Sequence, residues 1–250
     1  MKKIASILFS ILLILTLVAC DNSSQNEKGD ISIKKQNTDL ETEHKDNDEK
    51  VSELQSEDNT VSENTVQSEN RKILIAYFSV METDGVDTVS SASRVVVDGN
   101  VLGNNLYIAK IIQQETGGDL FSIETEQEYP KTHDNLLEFA YEEKADNARP
   151  EISTHIDRLN DYGIVFLGYP NWNSDLPMPL YTFLEEYDFS GKTIIPFTTH
   201  GGSGFSRTVQ TIAELQPNAI VMSDGLCISR DNVEDAEKEV VNWVNGLKLN

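Results

Sequence analysis

The stretch Ile164-Val165-Phe166-Leu167-Gly168, followed by Tyr169-Pro170-Asn171-Trp172, decides the fold class. Its first five residues are nearly continuous in apolar character, which suits a strand buried on both faces of a parallel sheet. Two other runs share this character, and two weaker strand candidates complete the set: Ile73–Phe78, Thr193–Phe197, Leu120–Glu124 and Ala219–Met222. The sequence therefore predicts five strands.

Helical stretches separate these strands. From Asn104 to Glu115, Leu106, Ala109 and Ile112 recur at three-residue spacing, and Gly117-Gly118 is predicted to end the helix. Four more helices are predicted over about 134–145, from Pro177 to about Tyr187, from about Ser206 to Leu215, and from about Val233 to Leu247, with Asp231 or Asn232 as the last cap. This alternation predicts an open α/β sheet whose ligands bind beyond the carboxyl ends of the strands, where chain order reverses.

Three loops at that edge have distinctive sequences. The loop after the fourth strand reads Thr198-Thr199-His200-Gly201-Gly202-Ser203-Gly204-Phe205, and its glycines let the backbone approach a ligand closely. The loop after the third strand holds Trp172 between two prolines, which suits a platform for a flat heterocycle as well as simple packing. The loop after the first strand begins at Ser79 and ends at Gly103-Asn104-Asn105, where a helix N-terminus could bind phosphate.

Together these motifs resemble the flavodoxin family. The resemblance rests on Tyr77-Phe78-Ser79, Gly103-Asn104, Gly168–Trp172 and Thr198–Gly204, and it covers essentially all of residues 71–250. It implies a flavodoxin-like, doubly wound, five-stranded parallel sheet of order 2-1-3-4-5 with helices on both faces. It also implies FMN at the edge between strands one and three.

The resemblance further implies roles for individual residues. The expected phosphate loop contains Ser79, Gly103, Asn104 and Asn105. One face and edge of the isoalloxazine would meet Pro170, Asn171, Trp172 and Asn173. The other loop would approach the ring with Thr199, His200, Gly201, Gly202 and Gly204. Two departures from the family pattern stand out, because residues 80–102 interrupt the phosphate loop and Asn105 replaces its final threonine.

Within that interruption, Asp87–Ser93 resembles the target of bacterial flavin transferases, in which the last hydroxyl carries FMN through a phosphoester bond. Ser91 stands where glycine is usual, and Ser93 where threonine is commoner. Two interpretations stay open. FMN is attached covalently to Ser93, or the hydroxyls of Ser90, Ser91 and Ser93 donate hydrogen bonds to a free phosphate.

The N-terminal third has a different composition. Residues 1–20 contain Lys2-Lys3, an apolar run and Leu17-Val18-Ala19-Cys20, and they resemble the signal and lipobox of bacterial lipoproteins. We expect a lipid on Cys20 that anchors the chain to the outer face of the cytoplasmic membrane, the alternative being an ordinary secretory signal. Cys227 would then have no disulfide partner. Residues 21–70 contain no aromatic residue, 14 acids and 5 lysines, which predicts a disordered acidic tether.

Charge and motifs narrow the function of the remaining domain, residues 71–250. It holds 28 acidic and 13 basic residues, a formal charge of −15, which argues against nucleic acid and is compatible with a basic redox partner. The four histidines show no spacing typical of metal ligands, and no catalytic residue is predicted. An FMN-dependent electron carrier is favoured, because no Gly-x-Gly-x-x-Gly site for a second nucleotide occurs. The alternatives are an NAD(P)H-dependent reductase of quinones or small acceptors, and a non-redox binding module.

Overall fold

A parallel sheet forms the centre of the computed structural model, which describes residues 72–82 and 93–249. The strands are β1 (Lys72–Tyr77), β2 (Arg94–Val97), β3 (Asn100–Gly103), β4 (Asp119–Ser122), β5 (Tyr162–Pro170), β6 (Thr193–His200), β7 (Ile220–Val221) and β8 (Leu226–Ser229). The main sheet has the order β4-β1-β5-β6-β7, with β8 also paired to β6, and every pairing in it is parallel. The predicted order 2-1-3-4-5 is confirmed.

Five helices cover the two faces of the sheet. They are α1 (Asn104–Thr116), α2 (His133–Ala145), α3 (Met178–Glu186), α4 (Thr208–Leu215) and α5 (Glu237–Gly246). One apolar cluster joins the sheet to α1 and α5, and a second joins its other face to α2, α3 and α4. Neighbouring residues of β1 divide between the clusters, Ile75 facing the first and Ala76 the second, as the alternation of a buried strand requires.

The sequence predicts where α1 ends and where the last helix begins, and the structure tests both predictions. Gly117 closes α1 with a left-handed φ of 69° and donates its N–H to the carbonyl of Gln113, so the predicted stop is confirmed. The predicted start of the last helix was wrong, because α5 begins at Glu237 after Ala236. Asp231 lies instead in a short 3-10 turn, where its N–H bonds to the hydroxyl of Ser229.

The fifth position of the sheet is occupied by two separate segments, β7 and β8, rather than by one strand. β7 pairs with Thr193 and Ile194, β8 pairs with Phe197–His200, and Pro196 lies in the gap between these pairings. The carbonyl of Ile194 accepts a hydrogen bond from the N–H of Met222, so the backbone groups of Ile194 face the fifth position of the sheet. Because backbone groups of alternate residues in a parallel strand face the same neighbour, those of Pro196 face the fifth position too. Since proline has no N–H to donate, the ladder breaks there.

A separate two-stranded antiparallel sheet follows β1 and precedes α1 along the chain. Most of it belongs to residues 80–102, which the sequence analysis describes as interrupting the phosphate loop. β2 and β3 pair directly, and they are joined by Asp98 and Gly99, with φ of 51° and 76°. These angles are those of the two-residue turn that favours Asp-Gly. Val95 of β2 is fully buried against the main core, so the hairpin is part of the fold.

Residues 1–71, 83–92 and 250 lie outside the described residues. They include the predicted signal, Cys20, the tether, Ser90 and Ser91. Within the described residues, no helix combines the length and apolar character that crossing a membrane requires.

Candidate functional site

A cavity lies beyond the carboxyl ends of β5 and β6. It is lined by seven of the residues expected at a flavin site: Ser93, Pro170, Asn171, Trp172, Thr199, His200 and Gly201. Its other lining residues are Glu82, His133, Leu136, Leu137 and Arg230. The first wall of the cavity is formed by the loops that the sequence analysis singled out. The second wall is formed by three other segments, which contain Glu82, His133 with Leu136 and Leu137, and Arg230.

Trp172 forms part of the first wall, but most of its ring is packed into the core. Only 6% of the residue is exposed. The ring meets Phe78 edge to face, with centroids 5.5 Å apart, and Tyr129 at 5.6 Å. Trp172 therefore has the packing role that the sequence left open, while part of it still borders the cavity.

The loop after β5 is held in a tight turn. Trp172 and Asp175 exchange two backbone hydrogen bonds, at 3.2 and 3.0 Å, across Asn173 and Ser174, which both have positive φ. Lys144 of α2 donates to the carbonyl of Asn173 at 2.8 Å and pairs with Asp175 at 3.2 Å. Asn173 is exposed at the turn tip and does not line the cavity.

Asn171 ties this loop to the loop after β6. Its N–H donates to the carbonyl of Thr199 at 2.8 Å, and its side-chain amide donates to the carbonyl of Gly204 at 2.7 Å. Its Oδ1 is buried and accepts no hydrogen bond from the described residues. A buried oxygen of this kind is a site where a ligand N–H or O–H can bind, because leaving it unpaired costs free energy.

His200 is held in one orientation by its own loop. Its Nδ1 accepts the N–H of Gly202 at 2.9 Å, so in this arrangement any proton of the neutral ring lies on Nε2. Partial burial lowers the pKa of the imidazole, which favours the neutral form. Gly202 has a φ of 126°, which needs glycine, and Gly204 has a φ of 60°, where glycine is favoured.

The expected phosphate loop is brought together at the start of α1. A Cβ placed at Gly103 would lie 2.2 Å from Oγ of Ser79, so these two residues are in contact and a side chain at position 103 would displace the Ser79 hydroxyl. The N–H of Asn104 donates to the carbonyl of Ser93 at 3.0 Å. Asn105 is buried and donates to the hydroxyl of Thr199 at 3.0 Å, so it links this loop to the end of β6.

The second wall contains residues that sequence reasoning missed. Glu82 is 3% exposed, and its carboxylate lies 2.9 Å from Nδ1 of His133, the first residue of α2. Arg94 donates to the backbone carbonyl of Glu82 at 3.2 Å. Arg230 packs beside Gly201, where a Cβ would come within 3.3 Å of its guanidinium carbon. These residues come from distant segments and share no spacing that the sequence could reveal.

The residues at this edge fit FMN in their chemistry. Asn105 and Asn171 each have a buried side-chain oxygen without a hydrogen bond from the described residues, and FMN offers N3–H and ribityl hydroxyls as donors. Ser79 lies against Gly103 beside the N-terminus of α1, where its hydroxyl could donate a hydrogen bond to a phosphate. The enclosed space is about 60 Å³, below the roughly 300 Å³ of typical small-molecule sites, so a tricyclic ring would lie partly outside it or part its walls.

The fold and its edge loops define a doubly wound α/β protein with a ligand site at the topological switch point. The flavodoxin family model matches residues 72–247. The chain therefore belongs to the flavodoxin family, and this membership supports FMN as its cofactor. No curated protein matches the chain.

Several solved structures are similar. A protein assigned as a flavoprotein from Bacteroides eggerthii is 26% identical, with a TM-score of 0.53, over 70% of this chain and 97% of that one. Another from Bacteroides uniformis is 24% identical, with a TM-score of 0.50, over 67% and 97%. A flavoprotein from Lactobacillus acidophilus, solved in complex with FMN, is 22% identical, with a TM-score of 0.46, over 69% and 98%.

Proposed function

We propose that this protein binds FMN and transfers electrons. The observation that carries the proposal is the convergence of Pro170, Asn171, Trp172, Thr199 and His200 on one cavity at the switch point of a flavodoxin-family sheet. Bound FMN would supply the redox chemistry. The protein would hold its ring between the two loops and pair its polar edge with buried amide oxygens.

We further propose that a lipid on Cys20 holds the chain on the outer face of the cytoplasmic membrane, with residues 21–70 as the spacer. The basis is the lipobox-like Leu17-Val18-Ala19-Cys20 and the acidic composition of the spacer. A redox protein with a basic surface is the proposed partner, because the domain carries a formal charge of −15.

Absorbance of the purified full-length chain tests FMN binding. The expected result is a yellow protein that takes up FMN in equimolar amount and shows stepwise spectral changes on reductive titration. A chain that remains colourless after incubation with FMN would instead be a non-redox module of this fold.

The same preparation tests how the cofactor is held. After acid denaturation, noncovalent FMN would appear in the supernatant, whereas a phosphoester on Ser93 would keep it in the pellet. If the bond is covalent, Ser93→Ala would abolish the pelleted flavin; if it is not, all bound flavin would appear in the supernatant of both the wild type and Ser93→Ala.

A further inference from the structure

A groove of about 590 Å³ lies between the β2–β3 hairpin and α1. It is lined by five residues of the hairpin, four residues of α1, and Glu237, the first residue of α5. None of these residues lines the cavity beyond β5 and β6, so the groove is a separate site. Its volume falls within the range of roughly 300–1,000 Å³ that is typical of binding sites.

The groove presents an apolar surface to solvent. Val101 of β3 is 43% exposed, and three further apolar side chains line the same groove: Val97, Leu102 and Ile111. A single exposed valine needs no explanation, whereas apolar side chains gathered in one groove with a polar rim are typical of an interaction surface.

Carboxylates give the groove a negative field. Asp98 of the hairpin turn and Glu237 both line it, and Lys110 is the basic residue among the lining set. Burial, followed by the carboxylates of Glu237 and Asp98, raises the pKa of the Tyr107 hydroxyl. Two carboxylates that precede α5 act in the same direction: Asp235 and Glu234. The groove therefore favours a positively charged occupant.

β3 also has backbone groups available for pairing. In a hairpin with a two-residue turn, the residues that flank the turn bond to each other, and here these are Val97 and Asn100. The next pair, Val96 and Val101, consequently directs its N–H and carbonyl groups away from the partner strand. Neither backbone group of Val101 has a hydrogen bond to the described residues. An extended segment laid beside β3 could bond to both.

We infer that this groove binds an extended, basic segment of a partner protein, in which lysine or arginine alternates with apolar residues. Its backbone pairs with Val101 of β3, its apolar side chains contact the valines and leucine of the hairpin, and its cationic side chains lie near Asp98 and Glu237. Alternation suits this arrangement, because successive side chains of an extended chain point to opposite faces.

A protein segment accounts for more of the groove than a small cation does. A small cation would use the carboxylates alone, whereas an extended segment also uses the apolar surface and the free backbone groups of Val101. The inference goes beyond the binding of FMN, since the groove and the cavity share no lining residue. Its test therefore gives a result whether or not the chain takes up FMN.

The test titrates the full-length chain with a synthetic peptide of alternating lysine and valine, measured by isothermal titration calorimetry at low ionic strength. The lysine peptide is expected to bind, and to bind more weakly as salt is added, because exposed charges are screened. A peptide of alternating glutamate and valine should not bind. If neither peptide binds, the inference is wrong.

A double variant locates the charge that the lysine peptide contacts. Asp98→Asn combined with Glu237→Gln should weaken binding at least about threefold, a loss in the range of exposed ion pairs. Asparagine retains the turn, because Asn-Gly suits it as well as Asp-Gly does. The matched control is Glu138→Gln combined with Glu142→Gln, two exposed positions on α2. An equal loss in both double variants would show that net charge, and not the groove, attracts the peptide.

The backbone of the peptide provides a second readout. A lysine peptide methylated on alternate backbone nitrogens keeps its charge but cannot pair with a strand, so we expect its binding to be much weaker. Hydrogen exchange followed by NMR should show the Val101 amide becoming protected only with the unmethylated peptide. Equal binding of the methylated peptide, or no protection at Val101, would contradict strand pairing.

Three results would assign the groove to another occupant and overturn the partner protein. Binding of spermine as tight as that of the lysine peptide would indicate a small organic cation. A dimer in light scattering that the peptide dissociates would indicate a second copy of this chain. Stronger peptide binding after Lys34→Ala and Lys35→Ala would indicate that the chain's own N-terminal segment competes for the groove.

Discussion

Trp172 is fixed by the core on one side and borders the cavity on the other. Its position in the loop after β5 could be predicted from Gly168–Trp172 alone. Its burial could not, because the ring packs against Tyr129, which lies in a segment 43 positions earlier that gave no signal of its own. At the residue scale, sequence motifs locate the first wall of the site but not the contacts beneath it.

Replacing Trp172 should therefore have two separable effects. Trp172→Ala is expected to lower the free energy of unfolding by about 3–5 kcal/mol, because it empties space beside Phe78 and Tyr129. If the ring also contacts the flavin, FMN affinity falls by a further 1–3 kcal/mol or so. Urea unfolding of the apo chain gives the first quantity, and fluorescence titration with FMN gives the second.

A matched variant isolates the binding effect. Trp243 lies on the opposite side of the sheet, edge to face with Phe166. In Trp243→Phe the remaining emission comes from Trp172 and should be strongly quenched by FMN, whereas in Trp172→Phe it should change far less. Equal quenching in the two variants would remove Trp172 from the flavin site.

Glu143 gives a pH-dependent prediction at the same scale. Its carboxylate accepts hydrogen bonds from Gln127 and, at 2.9 Å, from the hydroxyl of Tyr129. Burial raises the pKa of Glu143 more than these hydrogen bonds lower it. The folded state thus holds this proton more tightly than the unfolded state, so the group's contribution to stability declines as pH rises above the usual pKa of a glutamate.

Glu143→Gln should remove that decline. Compared with the wild type, the variant is expected to gain stability to urea at about pH 7 and to gain little at about pH 4, where the carboxyl is already largely protonated. Glu142→Gln, an exposed change on the same helix, should show no such pH dependence. A stability difference that is the same at both pH values would contradict the prediction.

The β2–β3 hairpin shows what sequence reasoning missed at the element scale. Its signal was present, since Val95-Val96-Val97 and Val101-Leu102 flank an Asp-Gly pair. The family resemblance predicts only an interrupted phosphate loop over residues 80–102, so the hairpin is a finding of the structure. The three central strands β1, β5 and β6 are easier to predict because they have 6, 9 and 8 residues and are largely buried, whereas each hairpin strand has only four residues.

The turn of this hairpin allows a clean test. Gly99 has φ of 76°, and a Cβ there would meet nothing within 4 Å, so the effect of a side chain is confined to the backbone. Gly99→Ala should lower the free energy of unfolding by about 1–2 kcal/mol. Asp98→Asn should cost nothing, because Asn-Gly is at least as favourable in this turn. If urea unfolding shows Gly99→Ala to be as stable as the wild type, the turn has another conformation.

At the scale of the whole molecule, the alternation of strands and helices was enough to predict the layers, whereas the sheet order came from the resemblance to the flavodoxin family. The alternation located the edge where ligands bind, because that edge follows from topology. It could not supply Glu82, His133 or Arg230, which reach the cavity only through the folded arrangement of three separate segments. Nor did it predict the divided fifth position, which depends on Pro196 facing that neighbour.

Net charge sets a further expectation for the domain. An electron added to bound FMN meets a protein with a formal charge of −15, which disfavours additional negative charge. We expect the potential for adding the second electron to lie below that of free FMN. Arg230, beside Gly201, offsets part of this field, so Arg230→Gln should lower the potential further. Spectroscopic redox titration measures both, and a potential above that of free FMN would show that nearby groups outweigh the net charge.

The proposed anchor is tested on the intact cell. Cys20→Ser should leave the chain either unprocessed or released from the membrane, because a two-chain lipid anchor on Cys20 is the proposed attachment. Fractionation of cells into membrane and soluble material, followed by immunoblotting, distinguishes these results. A processed Cys20→Ser chain that remains in the membrane fraction would contradict the lipid anchor.

The division of the fifth sheet position into β7 and β8 affects whether copies of the protein held close together on one surface can join through their sheets. The outermost strand of an open sheet presents unpaired backbone groups that can join a second molecule. Here that edge of the sheet consists of two residues in β7, a break opposite Pro196, and four residues in β8. Neither segment offers another chain a continuous row of partners, so crowding favours separate molecules over sheets that merge edge to edge and aggregate.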